Sequence, residues 1–204
     1  MTTIDCISDL HGYWPLLAGG DILVIAGDIT ARDEPQQWTA AYQWIKALDY
    51  KYKILVGGNH DKHLYRVSRN PAALAAYQAL LRDSYGITYL CDTGTSAEGL
   101  KIWGSPWTVR FDGVDERVDA WMRRDETLAK RWELIPGDTD ILVTHGPPYG
   151  IRDCVIQRYT GTAECCGSRT LLDAVQRVKP RIHVYGHIHE GYGSCELATW
   201  FINA

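Results

Sequence analysis

The sequence predicts an α/β fold in which buried strands alternate with amphipathic helices. Continuous apolar runs such as 21–26 and 141–144 are typical of parallel strands that are covered on both faces. Between such runs lie segments whose apolar residues recur at helical spacing, as in 36–48. Most of the apolar runs end in glycine, histidine, aspartate or asparagine. Because ligands of open α/β folds bind beyond the carboxyl ends of the strands, this pattern predicts a functional site there.

The strands are predicted where apolar residues run without interruption or alternate with polar ones. In chain order they are the segments 4–10, 21–26, 52–56, 87–90, 100–103, 141–144, 181–185 and 195–201. The segments 87–90 and 100–103 are short and alternating, which indicates a mixed or antiparallel region.

The helices are predicted from helical spacing and from capping residues. In chain order they are the segments 36–48, 72–81 and 115–135, and a helix that Ser168 caps and that ends before Pro180. Asn70 and Pro71 suit the N-cap and first position of the second helix, where the missing N–H of proline costs nothing. No internal repeat or linker-like change of composition divides the chain, so residues 1–204 are predicted to form one domain.

Composition favours a cytoplasmic globular protein and disfavours two classes of partner. Hydrophobic residues make up 46% of the 204 residues, and no run of about 18 apolar residues could span a bilayer. The N-terminus lacks the basic and apolar regions of a secretory signal. The net charge is −4 and basic residues do not cluster, which argues against a dedicated nucleic-acid surface. The six cysteines show no zinc-type spacing and are predicted to be reduced thiols.

Eight polar side chains that can bind a metal, or act beside one, follow the predicted strands. They are Asp9, His11, Asp28, Asn59, His60, His145, His187 and His189. Any one of them alone would more often be a turn residue, but together they come from five separate segments. His187 and His189 stand two residues apart, and period-two geometry would send both imidazoles to the same side, towards one point. The other two histidines, His63 and His183, are predicted to be solvated or packed.

So large a set predicts two metal ions that share a carboxylate. A pair of ions about 3.5–4 Å apart activates a bridging water and stabilises an in-line displacement at phosphorus. The set offers nitrogen and oxygen but no thiolate, which points to manganese, iron or zinc, with manganese favoured.

Five ordered motifs in this sequence resemble the signature of the calcineurin-like metallophosphoesterases. They are Asp9-Leu10-His11, Gly27-Asp28, Gly58-Asn59-His60-Asp61, Thr144-His145-Gly146 and Gly186-His187-Ile188-His189. Flanking segments at 104–107, 145–148, 183–193 and 201–204 further resemble the small metallophosphoesterase-domain-containing branch, which is associated with hydrolysis of phosphodiesters, including cyclic nucleotides. The resemblance implies a four-layer fold, in which two central mixed β-sheets pack as a sandwich and helices flank them.

The resemblance also implies a role for each motif residue. Asp9, His11 and His189 would hold the first ion. Asn59, His145 and His187 would hold the second, and Asp28 would bridge the two. His60 would be a non-ligand imidazole near the leaving oxygen, acting as a general acid or as a cationic stabiliser of the transition state. Asp28 and His60 are therefore the predicted catalytic residues.

One departure from the family pattern concerns the residues after Asp28. Protein phosphatases of the superfamily carry an Asp-Arg pair there, whereas this chain has Ile29-Thr30, so Thr30 stands where an acid would orient His60. Asp61 is the alternative partner for His60. Protein-phosphatase activity is thereby disfavoured.

These observations predict a dimetal phosphodiesterase that acts on a small phosphodiester, with a cyclic nucleotide as the favoured example, by attack of a metal-bridging hydroxide. The alternatives are a phosphomonoesterase or nucleotide pyrophosphatase on the same site, and a catalytically silent nucleotide-binding protein. The absence of a basic track disfavours a nuclease. Candidates for stacking a base or pairing with a phosphate are the loop residues Trp107, Arg110, Tyr149, Arg152 and Arg158. Both a monomer and a dimer are compatible with the sequence.

Overall fold

Two β-sheets pack face to face with helices on their outer faces in the computed structural model, which describes residues 1–110, 120–156 and 161–204. The predicted fold class is confirmed. Ile22 and Val24 lie in the apolar layer between the sheets, whereas Leu23 and Ile25 lie in the core that contains the helices. This division follows from the pleat, because successive side chains of a strand point to opposite faces.

The first sheet is parallel throughout. It consists of β1 (Ile4–Ile7), β2 (Gly20–Ala26), β3 (Tyr50–Val56) and β4 (Ile87–Leu90), in that spatial order. The segment 87–90, predicted to belong to a mixed or antiparallel region, is therefore a parallel edge strand.

The second sheet is mixed and contains six strands. Its spatial order is β13 (Gly193–Glu196), β14 (Trp200–Asn203), β12 (Ile182–Tyr185), β9 (Ile141–Thr144), β6 (Leu100–Ser105) and β5 (Thr93–Ala97). The strands at its two edges, β13 and β5, are antiparallel to their neighbours, and the inner four are parallel. Two small pairs stand apart, namely β7 (Thr108–Val109) with β8 (Met122–Arg123) and β10 (Cys154–Ile156) with β11 (Ala163–Cys165).

Among the described residues, the helices are α1 (Pro35–Ala47), α2 (Lys62–Ser68), α3 (Pro71–Tyr85), α4 (Asp125–Trp132) and α5 (Arg169–Val178), with a 3-10 turn at His189–Gly191. The two predicted caps are present. Asn70 Oδ1 accepts hydrogen bonds from the amides of Ala72 and Ala73, and Ser168 Oγ accepts one from Leu171. None of the helices in the described ranges is long and apolar enough to cross a membrane.

Three predicted elements differ in the structure. The helix over 115–135 is wrong at 122–123, which form β8, and it begins only at Asp125; residues 115–119 lie outside the described residues. Trp121 has φ 52°, which no right-handed helix can contain, and its carbonyl accepts from the Thr108 amide instead. The single strand over 195–201 is two antiparallel strands, because the chain turns at 197–199. The strand over 4–10 ends at Ile7.

Candidate metal centre

The eight predicted polar side chains meet at the carboxyl ends of the strands. Six of them line a cavity of ≈ 450 Å³, namely His11, Asp28, Asn59, His60, His187 and His189. The other two contact that set directly: Asp9 Oδ1 lies 3.3 Å from His189 Nε2, and His145 Nε2 lies 3.4 Å from Asp28 Oδ2. Six of the eight form two groups whose ligand atoms all lie within 4.8 Å of one another.

The outer cluster consists of Asp9, His11 and His189. His189 Nε2 and His11 Nε2 lie 3.3 Å and 4.0 Å from Asp9 Oδ1. This buried oxygen receives no hydrogen bond from any of the described residues, whereas Oδ2 accepts one from the His187 amide. A buried acceptor without a donor costs about 1–3 kcal/mol. A cation between the carboxylate and the two imidazoles would satisfy it, so the residues fit a metal ion.

The inner cluster consists of Asp28, His145 and His187. His145 is fully buried, and its Nδ1 donates to the Ala26 carbonyl at 2.8 Å. That bond fixes the ring so that Nε2 faces the cluster, as in metal sites where a carbonyl orients the histidine ligand. Asn59 Oδ1 lies 2.9 Å from the same Nε2, which places the amide oxygen at this cluster as well.

The electrostatics of the inner cluster call for a cation. Burial alone would lower the pKa of His145, but the Asp28 and Asp9 carboxylates raise it to about 10. Burial and the neighbouring His145 lower the pKa of His187 to about 3. His145 therefore carries, as a proton, the positive charge that the carboxylates attract, while His187 is neutral and able to donate its lone pair. A divalent ion can take the place of that proton.

The backbone of the ligand loops is strained. Asp9, His11, Asp28 and His187 have φ of 52°, 44°, 53° and 69°, in the left-handed region. Each such residue costs of order 1–3 kcal/mol and persists only where its surroundings fix it. Backbone hydrogen bonds from Asp9 to Gly27 and from His11 to Asp28 do so here.

The conformation of these loops corrects the period-two argument. The strands end at Ile7 and Tyr185, so turns rather than a pleat orient the side chains that follow. His187 and His189 consequently lie in different clusters and do not converge on one point.

Two glycines allow the ligand loops to approach each other. A Cβ at Gly58 would lie 2.2 Å from Asp28 Oδ1, and one at Gly186 would lie 2.0 Å from Ser8 Oγ and 2.1 Å from Asp9 Oδ2. Contacts this short do not occur, so any side chain at either position would displace an aspartate of a cluster.

Asp61 is not the partner of His60, contrary to the alternative that the sequence suggested. Its fully buried carboxylate accepts the backbone amides of Asp28, Ile29 and Gly58 at 2.9, 3.2 and 2.9 Å. Burial and the neighbouring Asp28 charge raise the pKa of Asp61. Asp61 therefore positions the loop that carries Asp28.

His60 faces the cavity beside Asp28. Its Nε2 lies 4.0 Å from Asp28 Oδ2, its side chain is 50% exposed, and its backbone amide donates to Asp28 Oδ1 at 2.8 Å. Its ring lies 5.1 Å from that of His11, edge to face. The imidazole thus stands at the mouth of the site, outside both clusters.

The described residues among those predicted to bind substrate do not line this cavity. Trp107 is 8% exposed, donates to Asp92, and packs beneath the Arg131 guanidinium, which lies 4.6 Å from its ring. Arg152 donates to the carbonyls of Gly191 and Tyr192.

A second cavity holds the other two predicted substrate-binding residues that are described. Arg110 and Tyr149 line this cavity of ≈ 340 Å³, where the Arg169 guanidinium covers the Tyr149 ring at 3.5 Å. Arg158 lies outside the described residues. The substrate roles of these residues stay predictions.

Sequence reasoning missed three residues that line the metal cavity, Met122, Val155 and Ile188. Met122 belongs to β8, in a segment whose spacing predicted a helix, and Val155 belongs to the short strand β10, which no periodicity marks. Only Ile188 carried a signal, since it lies between the two histidines of the last motif.

The comparisons agree with the fold. A model of the calcineurin-like phosphoesterase family matches residues 2–191, so the chain belongs to this family, as its motifs predicted. Members of this family are metal-dependent phosphoric ester hydrolases that use two divalent ions.

The similar proteins include relatives by sequence and solved structures that share the fold. Metallophosphoesterase domain-containing protein 1 of Homo sapiens and that of Mus musculus are each 35% identical over 224 residues, covering 100% of this chain and 65% of their own length. The solved structure of phosphopantetheinyl hydrolase from Mycobacterium tuberculosis shares the fold, with a TM-score of 0.61, 19% identity, and coverage of 98% of this chain and 88% of that one. The solved structure of TT1561 of Thermus thermophilus does so with a TM-score of 0.66, 16% identity, and coverage of 98% and 87%.

Proposed function

We propose that the protein is a dimetal phosphodiesterase that hydrolyses a small phosphodiester, with a cyclic nucleotide as the favoured example, and that residues 1–204 form one catalytic domain. The observation that supports this proposal best is the pair of ligand clusters beside one cavity of ≈ 450 Å³. The Asp28 carboxylate is 2% exposed and raises the pKa of His145 in the inner cluster against the effect of burial, and it adds to Asp9 in raising the pKa of His189 in the outer cluster. A carboxylate that affects the imidazoles of both clusters suits the bridging position between the two ions.

On this proposal Asp9, His11 and His189 hold one ion, and Asn59, His145 and His187 hold the other, with Asp28 between them. The ions supply Lewis-acid charge and an activated water. Manganese, iron and zinc all suit a set of imidazoles, carboxylates and one amide, and manganese is the ion that we propose. Metal analysis of the purified protein tests that preference.

His60 is proposed to act on the leaving oxygen. Its half-exposed ring is open to a bound substrate, and its Nε2 lies 4.0 Å from Asp28 Oδ2. A protonated ring at this place can hydrogen-bond the leaving oxygen and transfer its proton as the ester bond breaks. The same ring nitrogen would stabilise the negative charge on the leaving oxygen and donate the proton to it.

The cavity wall favours a diester over a monoester. None of the described residues that line it is lysine or arginine, and Glu190 adds a negative charge. A monoester dianion suffers more from that charge than a diester monoanion does. Met122, Val155 and Ile188 form an apolar part of the wall, which suits the second organic group of a diester.

The first experiment compares Asn59→Ala and His187→Ala with His63→Ala, a histidine that lies outside the cavity lining and whose Nε2 contacts the Tyr77 hydroxyl. Because residues that merely orient ligands are worth about 10–100-fold, we expect each ligand substitution to lower kcat/KM on a chromogenic phosphodiester by at least about 100-fold. His63→Ala keeps the activity. Full activity in either ligand variant would contradict the assignment.

A second experiment compares a phosphodiester with a monoester of the same leaving group, using wild type and Glu190→Gln. We expect the diester to be the better substrate, and the substitution to narrow the difference by raising the monoester rate. A faster monoester in the wild type would favour the phosphomonoesterase alternative. Metal-reloaded protein that is inert on both esters and on nucleotides would favour the catalytically silent binding protein.

A further inference from the structure

A pair of opposed thiols stands beside the metal cavity. In the β10–β11 hairpin, Cys154 and Cys165 are cross-strand partners in antiparallel register, and their sulfur atoms lie 2.8 Å apart. The next residue, Cys166, faces elsewhere, with its sulfur 3.6 Å from the Glu164 carbonyl. All three cysteines are thiols in the structure and all are partly exposed, so small reagents can reach them. The sequence offered no signal for this pairing, since the two cysteines lie in a segment without clear strand periodicity.

The geometry suits a disulfide. Directly opposed residues of antiparallel strands have Cα atoms about 4.5–5.5 Å apart, within the range of about 4.4–6.8 Å that disulfides span. Asp153 fixes the base of the hairpin, because its buried Oδ2 accepts from the amide of Gly150 before β10 and from that of Gly167 after β11. The two thiols are therefore held opposite each other before any bond forms.

A thiolate-bound metal fits the same residues less well. Asp153, Cys154 and Cys165 offer three ligand atoms within 4.8 Å of one another. Two thiolates on one zinc ion, at about 2.3 Å in tetrahedral geometry, would stand almost 4 Å apart, further than these sulfur atoms do. Oδ2 of Asp153 is moreover already bound to two backbone amides.

The hairpin forms part of the wall of the active-site cavity. Val155, the middle residue of β10, lies between Cys154 and Ile156 and lines that cavity. Just before the hairpin, Arg152 donates to the carbonyls of Gly191 and Tyr192. Gly191 is the last residue of the turn that begins at His189, and Tyr192 follows it. The β10–β11 ladder has only three residue pairs, and a two-stranded hairpin of this kind is marginally stable without further support.

We propose that Cys154 and Cys165 form a reversible dithiol–disulfide pair whose oxidation holds the β10–β11 wall of the cavity closed as a hairpin. The oxidant is a low-molecular-weight disulfide. The thiolate of one cysteine attacks it and releases one small thiol, and the second cysteine then attacks the mixed disulfide and releases the other. Two protein thiols and one small disulfide thus give one protein disulfide and two small thiols, which carry away both protons.

The test treats the full, metal-loaded chain with glutathione disulfide, then maps the thiols by differential alkylation and peptide mass spectrometry. We expect Cys154 and Cys165 alone to lose their alkylation sites and to appear as one linked peptide pair, reversed by dithiothreitol. Cys166→Ala is the matched control and forms the same bond, whereas Cys165→Ala and Cys165→Ser do not. Hydrogen exchange of the β10 and β11 amides should slow at least several-fold on oxidation in wild type and Cys166→Ala, and remain unchanged in both Cys165 variants.

Four results would overturn the proposal. They are the absence of a disulfide in glutathione disulfide, a bond that involves Cys166 instead, a Cys154–Cys165 bond without slower exchange in the hairpin, and an additional metal equivalent that is lost when these thiols are alkylated. Because the mapping requires no turnover, its outcome is independent of whether the protein proves to be a phosphodiesterase.

Discussion

The outer and inner clusters share their ligand chemistry but differ in burial. In the inner cluster, His145 and Asp28 have side-chain exposures of 0% and 2%, whereas His11 and His189 of the outer cluster have exposures of 31% and 61%. His145 and Asp28 are buried in the packed core, whereas His11 and His189 stand at the mouth of the cavity. We therefore expect the inner ion to be retained and the outer ion to exchange with solvent and to meet the substrate.

The difference in burial is explained by the position of the strand that precedes each ligand. Asp28, His145 and His187 come after β2, β9 and β12, all interior strands of their sheets. Asp9 and His11 come after β1, an edge strand of the first sheet, and His189 lies in the 3-10 turn beyond β12. Burial of a ligand is thus set by the position of the preceding strand and by the length of the loop between.

The largest expected effect separates the clusters by stability of the metal-free protein. His145→Ala leaves the Asp28 carboxylate buried without its main partner, so we expect a loss of about 3–5 kcal/mol in the free energy of unfolding. His189→Ala removes an exposed imidazole and should cost about 0–1 kcal/mol. Urea denaturation in a chelator measures both, and equal losses would contradict the contrast.

The support beneath the inner cluster gives the next effect. Asp61→Asn puts an amide N–H against backbone donors, which should cost about 1–3 kcal/mol and displace Asp28. Turnover of the phosphodiester should fall by about 10–100-fold, the usual effect of losing a group that orients a ligand.

Asp33→Asn is the matched control for this substitution. Asp33 also anchors a loop, through the Trp38 indole, the His63 amide and the Arg66 guanidinium, but it does not contact Asp28. We expect this variant to keep its kcat. A similar loss of activity in both variants would show that Asp61 has no special role at the inner cluster.

A smaller effect concerns pH. His183 joins the strands that lead to His145 and His187, since its Nε2 lies 2.9 Å from Thr144 Oγ1, and burial lowers its pKa to about 3. The folded ring stays neutral, while the ring in the unfolded chain binds a proton below about pH 6.5. The contribution of His183 to the free energy of unfolding is therefore complete above that pH and is lost as pH falls towards 3.

The change in the free energy of unfolding per pH unit can be measured. Each pH unit in that window should cost about 1.4 kcal/mol through this residue. His183→Gln, followed by denaturation at several pH values, should flatten the profile between pH 6 and 4. An unchanged slope would assign the acid sensitivity to other groups.

The fold class was accessible from the sequence, and so was the set of eight polar residues that the structure brings together, because apolar runs and the polar residues after them mark parallel strands and their ends. The division of these residues into two clusters came from the family resemblance alone, and the period-two argument contradicted it. Left-handed conformations at Asp9, Asp28 and His187 turn the side chains out of the strand pleat, and nothing in a period-two pattern reports them. Likewise, the role of Asp61 depends on amides from two separate loops.

Elements stabilised by tertiary contacts were also beyond reach. The segment 121–123 has helical periodicity, yet Trp121 is buried with a positive φ and the strand β8 pairs with β7. Similarly, no glycine, proline, asparagine or aspartate marks the turn at 197–199 between β13 and β14, so the break at Leu197 gave no signal. In both cases packing outweighed a local preference.

The most direct test of the account is a crystal structure of the protein loaded with manganese, with the ions located by anomalous scattering. The account predicts two peaks, with His187 bound to the inner ion, His189 bound to the outer ion, and Asp28 in contact with both. A structure in which His187 and His189 bind the same ion would contradict the division of the site into two clusters.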